Sequence, residues 1–356
     1  MSVVEEILDL ARWAPSGDNT QPWRFRVHAD DHFVVHGFDT RKHCVYDVEG
    51  RPSQMSIGAL LENIGIAATQ FGVRAEVRRR AESGEETPAF DVRLRPDPAI
   101  RPDPLIPAIR ERAVQRRPMR TRPLSAAEKA ALEQAVAPGY TVAWQEGRGN
   151  RFRMARLLFR NAKLRLIMPE AYLVHRDIIE WGARYSADRV PDQALGLSPV
   201  SLWLMRPVMK SWERVEFANK YFAGTVMPRI ELDLLPGLAC AAHLAIVADR
   251  APAAIDDFVA AGRAMQRLWL TGTRLGLYLQ PEMTPLIFAR YVRSGARFSR
   301  VDRVWDGAQR VRVDLEAILG KEHAERAVFL ARIGAGPPPR ARSVRRPLAD
   351  LMLGPE

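Results

Sequence analysis

The sequence predicts an α+β chain in two unequal halves, and three observations carry that prediction. Helical periodicities alternate with short strand-like runs along most of the chain. A proline-dense segment from Arg95 to Pro107, with prolines at 96, 98, 102, 104 and 107, marks an internal boundary. A weak repeat links the two parts: Ile64 to Val73 reads IGIAATQFGV, and Leu268 to Leu277 reads LWLTGTRLGL. Each is a small-residue helix end that leaves through Gly into a strand, although two unrelated amphipathic helices would give the same likeness.

Taken in order, residues 3–13 read as a helix, with Val4, Ile7, Leu8, Ala11 and Arg12 at helical spacing and Pro15 ending it. The loop Ala14 to Pro22 is dense in turn formers, and Trp23 to His28 and His32 to Phe38 alternate as a strand pair. Ser56 to Phe71 is a small-residue helix closed by Gly72, followed by strands at Val73 to Arg80 and Ala89 to Leu94. Past the prolines, Ile109 to Arg117 and Ala126 to Val136 read as helices, the second opened by a Ser125/Glu128 capping box. Ala137-Pro138 then echoes Ala14-Pro15 as a turn between helix and strand. Residues 150–232 form a mostly helical insertion holding three of the eight tryptophans. Leu244 to Ala248 is a buried strand, Ala254 to Gly276 a helix, Leu277 to Gln280 a strand, and Pro337-Pro338-Pro339 opens an extended tail. The halves are therefore 1–107 and 108–356.

Composition narrows the class. At 356 residues, 47% apolar and 27% charged, the chain has ample material for a core. A net charge of +11 favours anionic partners, while arginine- and alanine-rich composition also follows from a GC-rich genome. Charge alone suggests nucleic acid, yet no helix-turn-helix, zinc-finger or RNA-binding pattern accompanies it. Cys44 and Cys240 are the two cysteines, so neither a disulfide framework nor a cysteine-rich metal site is expected. The acidic start Met1 to Glu6 is unlike a signal peptide, and the longest apolar stretch, Leu234 to Ala248, is too short to span a bilayer. A cytoplasmic location, no membrane partner and no nucleic-acid partner are the expectations.

The run Arg12-Trp13-Ala14-Pro15-Ser16-Gly17-Asp18-Asn19-Thr20-Gln21-Pro22-Trp23-Arg24-Phe25 resembles the signature loop of the nitroreductase family. The resemblance implies an α+β fold of central antiparallel sheets surrounded by helices, and FMN sites shared between two partners. Arg116-Arg117-Pro118-Met119-Arg120 is similar to the phosphate-binding start, with Pro118 in place of the usual serine. Gln280-Pro281-Glu282-Met283-Thr284 is similar to the segment along the flavin ring, and Pro339-Arg340-Ala341-Arg342 to the closing basic pair, extended by Ser343 to Leu348. The second loop, Ala137-Pro138-Gly139-Tyr140-Thr141, lacks the asparagine and the Gln-Pro-Trp. One complete site can be assembled and its twin cannot, so the resemblance implies a fused pseudo-dimer holding one FMN. A monomer fits that architecture, with a homo-oligomer left open. The likeness covers roughly 1–75, 110–140 and 262–350 and is thin over 150–232.

On this reading the cofactor-binding residues are Pro15, Ser16, Gly17, Asn19, Arg116, Arg117, Arg120, Gln280, Pro281, Met283, Thr284, Arg340 and Arg342. Arginine suits the FMN phosphate because its planar fork gives paired, charge-assisted hydrogen bonds, although solvated basic helix faces would look the same. Gly17 lets backbone approach the flavin edge, and Asn19 can both donate and accept; an ordinary Asx turn is the alternative. Gln280 to Thr284 can supply backbone donors near the reactive nitrogen, or form a plain strand-to-helix turn. NADH or NADPH would supply electrons to a small-molecule acceptor, and no side chain need act as a base, because the flavin carries the chemistry. Trp23 reads as a core anchor, His243 as a core histidine, Cys44 as a thiol without a metal, and Asp18 as turned away from the phosphate. Glu5-Glu6 and Asp256-Asp257 read as helix-start charges. Trp181, Tyr185, Trp203, Trp212, Tyr221 and Phe222 are either a lid over the flavin or the core of an added helical layer. The competing activity is a flavoprotein that stores or shields FMN without turnover.

Overall fold

The computed structural model describes residues 2–354. Of the acidic start, Met1 lies outside them, as do Pro355 and Glu356 at the end of the second half. The chain is α+β. A first unit runs α1 (Val3–Ala11), β1 (Trp23–Ala29), β2 (His32–Gly37), α2 (Arg51–Ala68), β3 (Val73–Arg79) and β4 (Ala89–Pro96). Its strands form one antiparallel sheet in the order β1-β2-β4-β3.

After α3 (Ile106–Glu111), a second unit opens with α4 (Ala126–Val136) and β5 (Tyr140–Gln145). An insertion follows: α5 (Gly147–Leu166), α6 (Pro169–Ile178), the two-residue strands β6 (Ile179–Glu180), β7 (Tyr185–Ser186) and β8 (Val190–Pro191), then α7 (Pro199–Val208) and α8 (Trp212–Tyr221). It closes through α9 (Val226–Arg229), a π turn and α10 (Leu235–Leu238). The unit resumes with β9 (Ala242–Ala248), α11 (Ile255–Arg274) and β10 (Leu277–Pro281). Then come α12 (Thr284–Ser294), α13 (Asp302–Leu319), α14 (Lys321–Arg326), β11 (Ala327–Ala335) and, in the tail, β12 (Arg342–Ser343). The second sheet is antiparallel in the order β10-β11-β9-β5. With each unit's strands numbered in chain order, both sheets read 1-2-4-3.

Local chemistry repeats with the topology. Both α1 and α4 begin with a capping box, in which Ser2 or Ser125 accepts from the backbone N–H of Glu5 or Glu128 and donates its own N–H to that carboxylate. Both α2 and α11 lead into a strand through a left-handed glycine, Gly72 at φ 65° and Gly276 at φ 73°. The two stretches of the weak repeat therefore occupy matching places. These long helices pack on each other at the centre, and Gly58 and Gly262 make the approach possible. A Cβ on Gly58 would lie far inside contact distance of the Val259 carbonyl, and one on Gly262 of the Met55 carbonyl.

The second sheet is covered on both faces. Leu244, Ile246, Leu279 and Ile333 join the core with α2 and α11, whereas Ala245, Val247 and Leu330 join residues of α5, α12 and α13. Burial on both faces leaves β11 with no alternation along Ala327–Ala335, and the sequence pattern accordingly misses that strand. Two further boundaries differ from expectation. Helix α2 begins at Arg51, not Ser56, because Gly50 caps it at φ 76° and Pro52 sits in its first turn. The expected helix over Ile109 to Arg117 stops at Glu111: Arg112 turns to ψ 126°, and the chain runs extended beside β10. Val114 bridges Leu279, and the Gln115 N–H donates to the Leu279 carbonyl at 3.1 Å. The free edge of β10 offers partners that a helix ending before Pro118 would forgo.

Candidate functional site

Strand register sets a polar row on the α5/α12 face of the second sheet. Gln280, Arg332 and His243 are cross-strand neighbours, and Gln145 pairs with His243 at the edge. Just past β10, the Glu282 carboxylate closes the row, accepting from His243 Nδ1 at 2.7 Å and from Arg332 Nη1 at 3.0 Å. His243 Nε2 lies 2.9 Å from the Gly237 carbonyl oxygen. Both ring nitrogens face acceptors, so the ring donates twice and is an imidazolium. Burial opposes that charge, yet Glu282 outweighs it and raises the His243 pKa to about 10. Burial likewise works against the Glu282 carboxylate, and His243 and Arg332 hold its pKa below the usual value. His243 is thus a core histidine, but a charged one.

This row borders a larger ionic cluster. Arg332 Nη2 donates to the Arg116 carbonyl at 2.8 Å, and Arg116 Nη1 donates to the Ala194 carbonyl at 3.0 Å. Burial lowers the Arg116 pKa, opposed by the charge of Asp18, while Arg332 and Arg165 add to the lowering. Asp18 sits at φ 52°, and its own pKa is raised by burial against the pull of Arg116 and Arg165. It therefore lies near enough to the basic cluster to feel its charge. Arg165, from the insertion, pairs with Asp233 at 3.2 Å, and burial raises the Asp233 pKa to about 6. Four cations (Arg116, Arg165, Arg332, His243) face Asp18, Asp233 and Glu282, two of which burial pushes towards the neutral acid, so the interior carries excess positive charge.

The signature loop lies against this cluster and is held by distant chain. Gly17–Asn19 form a single 3-10 turn, and Ser16 Oγ accepts from the Gln21 N–H at 2.9 Å. The Asn19 amide is fully used: Nδ2 donates to the Arg189 and Val344 carbonyls, both at 3.2 Å, and Oδ1 accepts from Arg345 at 2.9 Å. Arg345 also donates to the Ala14 carbonyl at 2.9 Å, and the Arg346 N–H donates to Gln21 Oε1 at 3.0 Å. Beyond them, the Leu353 N–H reaches the Phe25 carbonyl, so the tail of the second half is fastened to the first sheet.

The remaining expected residues diverge. Segments 115–120 and 335–337 are joined by the Arg120 N–H donating to the Ala335 carbonyl and by Gln115 Nε2 donating to the Pro337 carbonyl, but of the expected arginines Arg116 alone enters the cluster. Arg117 is exposed and reaches the Leu197 carbonyl at 3.4 Å; Arg120 and Arg340 are exposed. Arg342 donates to the Arg110 and Arg112 carbonyls and stacks over Trp13 at 5.4 Å. Gln280 and Pro281 end β10, Met283 packs between the two cores, and Thr284 Oγ1 accepts from Asn161 at 2.6 Å. Pro15 is half-buried beside the loop, and Trp23 is fully buried in the core. Burial pushes the Cys44 thiol up to about 12, with Asp18 adding to the effect. Glu282 and Arg345 lie inside segments the resemblance marks but are given no role by it, whereas Arg165, Asp233 and Arg332 are not singled out from sequence; for Arg332 an arginine inside the otherwise apolar run Ala327–Ala335 is the available signal.

No protein-family profile matches the sequence. A protein of Mycobacterium tuberculosis strain H37Rv named "Putative NAD(P)H nitroreductase Rv3131" is 28% identical over 295 residues, covering 81% of this chain and 78% of that one. Its counterpart in strain CDC 1551 aligns identically. These two relatives support a nitroreductase-like superfamily for the chain. Another protein of strain CDC 1551, "Uncharacterized protein MT1398", is 24% identical over 351 residues, which are 96% of this chain and 47% of that protein. A solved nitroreductase-like family protein from Bacillus cereus aligns with 71% of this chain and 97% of its own, at 12% identity and a TM-score of 0.37, a likeness too loose to support an argument. No helix among the described residues is long and apolar enough to cross a membrane.

Proposed function

We propose that this chain is an FMN-dependent oxidoreductase that takes electrons from NADH or NADPH and passes them to a nitroaromatic, quinone or similar conjugated acceptor. One observation carries the reading: the signature loop and the Gln280 to Thr284 segment meet at a buried, positively charged cluster whose polar groups are incompletely used. Arg165 Nε, Arg332 Nε, Gln280 Oε1 and Asn161 Oδ1 are buried and, among the described residues, have no hydrogen-bond partner. Leaving such groups unpaired costs roughly 1–3 kcal/mol each, so the cluster suits a polar, anionic ligand. A flavin mononucleotide fits that donor and acceptor set. Arg116, with Arg165 and Arg332 beside it, would hold the phosphate charge, and Gln280 with the backbone near Met283 would meet the polar edge of the ring. When bound, the flavin supplies the two-electron chemistry. The chain's own groups bind it, keep water out and fix the charge around it.

A second reading has its own support. Carbonyls from the insertion (Ala187, Arg189, Ala194 and Leu197) accept from Gln21, Asn19, Arg116 and Arg117. The insertion therefore contacts the signature loop and the Arg116-Arg117 pair, as a flavin-shielding protein would require. The purified protein's visible spectrum, followed by NADH or NADPH without oxygen, separates the readings. Flavin bands near one FMN per chain that bleach within seconds support the reductase. Bands that persist transfer the protein to the shielding reading. A colourless protein that refuses added FMN sinks both.

A further inference from the structure

The helical hairpin α7–α8 lacks a cover. Neither helix contains a buried residue, unlike the other long helices of the fold. Of the 14 large hydrophobic residues exposed among those described, Val200, Trp203, Leu204, Phe217, Tyr221, Phe222, Val226 and Met227 all lie in this short stretch. Trp203 is 75% exposed, Phe222 73%, Tyr221 60% and Phe217 56%. On α7 the exposed Val200, Trp203, Leu204 and Pro207 recur at helical spacing and form one outward stripe. On α8 and just beyond it, the rings of Phe217, Tyr221 and Phe222 cluster, with centroids 4.9 and 5.8 Å from Phe217. Trp203, Tyr221 and Phe222 are therefore not the covered core of a helical layer, whereas Trp212 packs against Tyr172. Monomeric proteins rarely present so contiguous an apolar face.

We propose that this face is an interface between two copies of the chain. Its size fits: four rings about two-thirds exposed contribute ~500 Å². With Val200, Leu204, Val226 and Met227 the patch approaches the ~800 Å² per partner of a stable complex. Its composition, rich in Trp, Tyr, Phe, Met and Arg, is that of an interface core. Its charges are of both signs: α7 carries Arg206, with Lys210 between the helices, and α8 carries the acids Glu213 and Glu216 beside the cations Arg214 and Lys220. A two-fold axis laying α7 of one copy over α8 of the other places Arg206 and Lys210 near Glu213 and Glu216.

Light scattering coupled to size exclusion on the full chain, at micromolar concentration, tests this. The expected mass is twice the 40.1 kDa of one chain. The double variant Trp203→Glu/Phe222→Glu should weaken the dimer at least tenfold while its circular dichroism stays unchanged, since both side chains are exposed. A single-chain mass at all concentrations overturns the proposal, as does a dimer that survives the double substitution. Co-sedimentation of a monomer with phosphatidylserine vesicles, lost in the double variant, assigns the face to lipid and also overturns it.

Discussion

The two units share one topology and differ in what hangs from it. In the first, β1 passes to β2 through Asp30 and Asp31, and β3 to β4 through residues 80–88; in the second, the equivalent connections are residues 146–241 and 282–326. Sheet order, capping boxes and left-handed glycines are alike in both. The ionic cluster is not: Arg165 and Asp233 come from the first long connection, Glu282 from the second, and His243 and Arg332 from the strands these connections cover. The comparison teaches that strand order tolerates long excursions, which then bury one face of the sheet and make a desolvated charge cluster possible there.

The contact between α2 and α11 is where the comparison breaks most readily. Gly262→Val should abolish cooperative folding or cost at least about 3 kcal/mol, because the added carbons meet backbone and not a movable side chain. Gly65→Ala, on the same α2 but with space beside it, should leave stability unchanged or raise it by up to about 1 kcal/mol through helix propensity. Equal losses in the two variants, measured by urea unfolding, would show that the units do not depend on this approach.

Glu282→Gln removes the counter-charge from a buried imidazolium and a buried guanidinium, and should cost roughly 3–5 kcal/mol in the same assay. The His243 pKa is raised from its ordinary value of 6.5 to about 10. Its contribution to stability is therefore complete below pH 6.5 and is lost as pH rises towards 10, a loss on the order of a few kcal/mol. Tm followed from pH 6 to 10 should fall, and His243→Gln should flatten that fall; an unchanged slope would mean that the ring is not charged in the folded protein. The smallest effects test the likeness itself. Ser2→Ala and Ser125→Ala should each cost about 1 kcal/mol, and a difference well above that would show that the two caps are not equivalent.

Much of the fold is legible in sequence because its signals are local. The capping box at Ser125 and Glu128, the turn formers from Ala14 to Pro22 and the glycine exits at Gly72 and Gly276 act within a few residues, and the structure has each where the pattern puts it. Tertiary structure decided the rest. The segment after Arg112 is extended because the β10 edge, distant in sequence, offers hydrogen bonds, and β11 escapes detection because both its faces are buried. The charge on His243 depends on Glu282, thirty-nine positions away, and on desolvation that only the assembled core supplies. Local periodicity encodes helices, strands and caps; which buried charges meet, and which apolar face is left uncovered, follows from packing between segments that carry no mark of each other.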